Sequence, residues 1–360
     1  MSHYEQRLSA DLEEIRTGIE DVAGDVVSAL ERTVRGIREA DRALLHDVVL
    51  DDNAINRRIR AIDSSCHAFV ARHLPAAGHL RFVSSVLRLN IALERAGDYA
   101  VTISRVVLQL DTALTEEIVA EVAELAALSG AMLRGAVEAF LRGDAEQARE
   151  VRTQGIRIDR LYDSIFHGLV EEQPRRSSIE LASLLTIFGK IERFSDQAKN
   201  ICEEAVFAGT GEIKTPKVFR ILFLDRANDF VGPLAAAIAT KSFSAGGVFT
   251  TAGREPAEAL DPRLVDIASD FGLDIGRARP TKVRDDLPDY PIDYHVVVAI
   301  GPDASDLVPR IPYHTALQLW HEFEAPGDAE GEPLKAQADT LVHGLTERIG
   351  RLMERLRGPG

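Results

Sequence analysis

Between Leu12 and Ile37 the apolar residues Leu12, Ile15, Ile19, Val22, Val26, Ala29, Leu30, Val34 and Ile37 recur at three-to-four spacing. On a helix that spacing gathers them into one stripe and leaves the charged residues on the opposite face. The pattern predicts a second helix over 41–73, stopped by Pro75 and Gly78, and a third over 81–110. Long amphipathic helices on short connections pack as an antiparallel bundle.

The three-helix pattern then recurs. Asp41 and Asn56 match Asp144 and Asp159 at an offset of 103, while FVSSVLRLNIALERAGDYAVTI matches SLLTIFGKIERFSDQAKNI at an offset of 98. The difference of five residues is assigned to the turn between the second and third helices. An internal repeat of this length predicts two related bundles. After GTGEIKTP the texture changes, and Gly209, Gly211 and Pro216 are read as a linker. VFRILFL (218–224) and YHVVVAI (294–300) are short β-branched runs that predict strands, and helical patterns follow at 232–241, 261–271 and 335–356. Strands alternating with helices predict a parallel sheet covered on both faces.

The 360 residues are enough for two or three domains, and 45% hydrophobic with 28% charged residues is ordinary for a globular protein. A formal net charge of −15 excludes a general nucleic-acid binder, which needs a basic face for phosphates. It also disfavours docking on anionic lipid, and suits divalent cations or basic partner surfaces. Two distant cysteines, Cys66 and Cys202, exclude a disulfide scaffold and a Cys-rich zinc site, and fit a reducing compartment. MSHYEQRLSADLEEIR lacks the apolar core of a signal peptide, and no 18-residue apolar window is present, so a soluble cytoplasmic protein without membrane insertion is expected.

The candidate chemistry lies in the third helix of each repeat, which carries Glu-x-x-x-Asp: Glu94 with Asp98, and Glu192 with Asp196. Four residues apart, the two carboxylates share one helix face, about 6 Å apart at Cβ. They repel, and either solvent with Arg95 and Arg193 or a shared hard cation offsets the repulsion. Such pairs are common on solvated faces. The recurrence in both repeats, among Leu89, Ile91, Leu93, Ala100 and Ile103, favours the cation. The histidines are scattered without metal-ligand spacing, so a His-based site is not expected.

LERAGDYAVTI and IERFSDQAKNICEEAVF, with DDNAIN (51–56) and GIRIDRLYD (155–163), resemble the signature of the PhoU family over about 200 residues. The resemblance implies two tandem three-helix bundles and bound metal, here Fe, Zn, Mg or Mn. It implies Glu94 and Asp98 at one metal cluster, Glu192 and Asp196 at the other, with Asp52 and Asp159 contributing from the second helices. It further implies regulation of phosphate transport and signalling, with the phosphate ABC transporter's ATPase subunit and a sensor histidine kinase as partners, and a homo-oligomer. Thr102 and Arg105 depart from the family's Asn and Glu, which the second repeat keeps as Asn200 and Glu203. The first site is therefore expected to bind metal more weakly.

FRILFLDRANDFVGPLAAAIA (219–239), a strand, a loop and a helix start, resembles low-molecular-weight protein tyrosine phosphatases and arsenate reductases. FSAGG (243–247), LDPRLVDIASDFGLDI (260–275) and DYHVVVAI (293–300) extend the likeness. The family's loop holds an oxyanion on backbone N–H groups at a helix start. In its register Asp225 stands for the nucleophilic cysteine and Val231 for the phosphate-binding arginine, while Asn228 and Pro233 remain. No cysteine follows Cys202, and no Asp-Pro occurs in LWHEFEAP (319–326), where Glu324 is a poor general acid. A pseudoenzyme is expected. An aspartyl-phosphate hydrolase would place a second Asp where Ala227 stands. Trp320 is expected in the core, and the basic end GRLMERLRGPG on a helix C-terminus.

The fold expected is α plus α/β: two tandem three-helix bundles, 1–110 and 111–210, then a flavodoxin-like parallel-sheet domain over 216–357. The function expected is a non-enzymatic phosphate regulator, with the last domain as a docking or dimerisation module. An active phosphohydrolase and a metal-free helical scaffold are the alternatives.

Overall fold

The structure is a computed structural model and describes residues 3–171, 177–212, 218–276, 278–283, 294–308, 311, 315–327 and 331–358. Pro216 of the expected linker, and Asp293 of the string DYHVVVAI, lie outside the described residues. The chain divides into two compact units, Met1–Lys214 and Thr215–Gly360.

The first unit holds six helices: α1 (His3–Arg38), α2 (Arg42–His73), α3 (Ala77–Leu108), α4 (Glu116–Arg142), α5 (Ala145–Glu171) and α6 (Ser178–Thr210). The stripe on α1 is buried at Ile15, Ile19, Val22, Val26, Ala29, Leu30 and Ile37. Both second helices begin on an aspartate cap, with Asp41 accepting the Leu44 N–H and Asp144 the Gln147 N–H. Each satisfies a donor that the first turn leaves unpaired. α2 stops at Leu74, whose φ of +47° is left-handed, before Pro75. Gly78 lies inside α3 and breaks nothing. Gly209 and Thr210 likewise belong to α6, and Gly211 at φ +78° is its cap rather than part of a linker. The turn to which the five-residue difference was assigned includes 172–176, which lie outside the described residues. One continuous core unites the six helices, from Ile15 and Phe69 to Phe140, Phe188 and Ala205.

The second unit runs β1 (Phe219–Asp225), α7 (Val231–Phe243), β2 (Gly247–Gly253), α8 (Pro262–Asp270), β3 (Val296–Ile300), α9 (Ala304–Leu307), β4 (Ala316–Trp320) and α10 (Glu332–Arg357). The strands form one parallel sheet in the order β2-β1-β3-β4, a flavodoxin-like arrangement. Strand alternation sends Ile221 and Phe223 to a core shared with α7, α8 and α10, and Leu222 and Leu224 to the opposite face with Val297 and Leu307. β2 and β4 carry no predicted strand. As edge strands they expose Val248, Leu317 and Leu319, and so lack the continuous apolar run of the central β1 and β3. Trp320 is 1% exposed and sits in the core. α10 ends on Arg355 and Arg357, cations at the negative helix pole.

Candidate cation sites and the loop after β1

In the first repeat, Asp52 on α2 meets the field of Glu94 and Asp98 on α3. Asp52 is half-buried, and its carboxyl is pushed up by burial first and by Asp98 next, with Arg105 and the Asn56 amide opposing. Asn56 donates its amide to Asp52 Oδ2 at 2.8 Å. Asp52 Oδ1 and Asn56 Oδ1 are shielded from solvent and accept no hydrogen bond. A Cβ at Gly97 would stand 3.7 Å from that Asp52 oxygen, so the α3 backbone passes close by. Glu94 and Asp98 themselves are exposed. Ile91, taken from the sequence as part of an apolar setting, is 50% exposed on the same outward face. The core residues of α3 lie on the other side at Leu89, Leu93, Ala96 and Ala100.

The second repeat is built differently. Lys199 Nζ lies 2.9 and 3.1 Å from the two oxygens of Asp159 on α5, and 3.0 Å from Asp196 Oδ1 on its own helix. Burial works to lower the ammonium's pKa, yet the bonds and charges of Asp159 and Asp196 leave it raised. Glu192 is half-buried beside them, and burial first, then Asp196, push its carboxyl well above the usual range. Asn200 donates to Gln197 Oε1 at 3.3 Å. Lys199 escaped the reading of the sequence, although a lysine three residues after Asp196 was a signal for an internal pair.

The two clusters answer differently to a hard cation. Among the described residues no three His, Cys, Asp or Glu side chains converge on one ion. In the first repeat one observation favours an ion: Asp52, crowded by the charges of Asp98 and Glu94, leaves one shielded oxygen unpartnered. In the second, an ammonium already holds Asp159 and Asp196. Those residues do not fit a metal.

In the loop after β1, Asp225 ends the strand 7% exposed. Its Oδ1 accepts the Asn228 N–H, and its Oδ2 the Gly232 N–H of α7 at 2.7 Å. Asn228 holds the turn at φ +51°, a conformation that Asn tolerates. A Cβ at Gly232 would come 3.1 Å from Asp225 Oδ2, so glycine keeps the approach open. Val231 and Pro233 are buried in the first turn of α7. Arg226 turns to Asp303 and Glu255. Two of the backbone donors around this loop are thus taken by a carboxylate of the chain itself. Burial first raises Asp225 to about 6, with the two N–H bonds working against it.

The sequence model of the PhoU domain matches residues 19–107 and 122–205. The phosphate-specific transport system accessory protein PhoU homolog of Pseudomonas putida is 34% identical over 213 residues, 58% of this chain and 83% of its own. The chain belongs to the PhoU family. The crystal structure of PhoU from Pseudomonas aeruginosa covers 57% of the chain and 99% of its own at 31% identity, with a TM-score of 0.53. The tyrosine phosphatase Wzb from Escherichia coli K30 aligns with 39% of the chain at 18% identity and a TM-score of 0.31, too low to carry an argument. No helix among the described residues is long and apolar enough to cross a membrane.

Proposed function

We propose that the chain is a non-enzymatic, cytoplasmic regulator of phosphate transport and phosphate-responsive signalling. Its six-helix unit would dock on the ATPase subunit of a phosphate ABC transporter and on a sensor histidine kinase. The observation that carries this reading is membership of the PhoU family, whose relatives here are named as accessory proteins of the phosphate-specific transport system. The metal belongs to the first repeat, where Asp52, Glu94 and Asp98 would hold a hard divalent or trivalent ion with Asn56 at its side. The ion would neutralise the crowded carboxylates and tie α2 to α3.

The second unit would be a phosphatase-like domain without the chemistry: Asp225 takes two of the loop's backbone donors, and Val231 supplies no charge. It serves as a docking or dimerisation module in a homo-oligomer. The deciding experiment is retention of the purified transporter ATPase subunit by the full chain, compared with a Glu94→Gln/Asp98→Asn variant. Retention by the unaltered chain, weakened in the variant, is expected. No retention by the unaltered chain overturns the reading, and turnover of an aryl phosphate at neutral pH would overturn its non-enzymatic part.

A further inference from the structure

We propose that Lys199 is the resident cation of the second repeat: its ammonium occupies the place between α5 and α6 that a metal would take, and this repeat is held together without one. An ammonium has three N–H donors, and all three distances here end on carboxylate oxygens: two of Asp159 and one of Asp196. Asp159 and Lys199 are 27% and 25% exposed, so the bridge is largely withdrawn from solvent.

The lysine stem passes directly over a position that has no side chain. A Cβ at Gly155 would stand 2.4 Å from Lys199 Cε, closer than atoms can approach. Glycine on α5 therefore opens the path by which the lysine stem crosses to Asp159. The repeat offsets place Gly155 opposite Asp52 and Lys199 opposite Val101. Relative to the first repeat, then, the second carries its helix-two carboxylate one turn along, at Asp159 in the place of Asn56, and has gained an ammonium. The ammonium is the difference that bears on a metal: a fixed positive charge already bonded to two of the three carboxylates that would have to bind the ion. The first repeat has no such cation bonded to Asp52, and its buried Oδ1 stays unpartnered. The order of affinities expected from Asn200 and Glu203 is thereby reversed, with the second repeat the one closed to metal.

The inference does not rest on the first repeat holding metal. Its test uses the full chain carrying Asp52→Asn, Glu94→Gln and Asp98→Asn, dialysed against Zn²⁺ alone or Mn²⁺ alone and assayed for bound metal. No metal above the buffer level is expected. One ion per chain at micromolar concentration would overturn the proposal, and this arm leaves Lys199 untouched. In the same background, Gly155→Asp, Asp159→Asn and Lys199→Val together copy the first repeat's residues at these three positions into the second. That variant is expected to bind metal and to gain several degrees in Tm when metal replaces chelator. A variant that folds but gains neither would also overturn it. Absence of metal from the unaltered chain would instead count against the first-repeat site proposed above.

Discussion

Asp225 turns its own carboxylate onto two backbone N–H groups of the loop after β1. Its carboxyl sits at about 6 rather than 3.8 because burial outweighs the two N–H bonds. A carboxyl raised in the folded state contributes stability that is fully present below pH 3.8 and lost as pH rises through about 6. The shift corresponds to about 3 kcal/mol. Denaturant unfolding of the unaltered chain and of Asp225→Asn, from pH 4 to pH 7, should therefore show the unaltered chain losing about that much relative to the variant. A constant difference across the range would mean that Asp225 titrates normally. The two thiols make a simpler case. Cys66 and Cys202 are at most 1% exposed, and burial pushes both to about 12. Neither should react with a thiol reagent at pH 8 until denaturant is added; prompt labelling of native protein would refute this.

Among helices and strands, the caps carry the clearest prediction. Asp41→Ala and Asp144→Ala each remove a bond to a first-turn N–H and should each cost about 1 kcal/mol. The two losses should add in the double variant, because the caps lie in different repeats. Equilibrium unfolding measures both. These capping aspartates were among the anchors by which the repeat was legible, and the apolar pattern located the three helices of the first repeat. Helix ends were less legible, because Gly78 was read as a breaker where the left-handed Leu74 and Pro75 already end α2. The central strands were readable from continuous apolar runs. The edge strands β2 and β4 were not, since half their side chains face outward. Of the acidic motif only the positions were legible. That Glu94 and Asp98 would lie open, and that Lys199 would bridge its counterparts, depended on which helix face meets α2 or α5.

Each of the two units has its own core, and the single tryptophan lies in the second. Phe140, 1% exposed and stacked on Phe82 at 5.3 Å, belongs to the first. Phe140→Ala should destabilise that unit by about 3–5 kcal/mol, seen as an earlier loss of helical circular dichroism. Trp320 fluorescence should keep its midpoint, and a parallel shift of both signals would show that the two cores unfold together. The sheet order puts Asp225 at the carboxyl end of β1 beside β3, the switch point where open α/β sheets ordinarily seat a ligand. Here the chain's own carboxylate stands at that position and ties the end of β1 to the first turn of α7 through the Gly232 N–H. An anion entering from solvent at neutral pH would meet that charge before it reached a backbone donor.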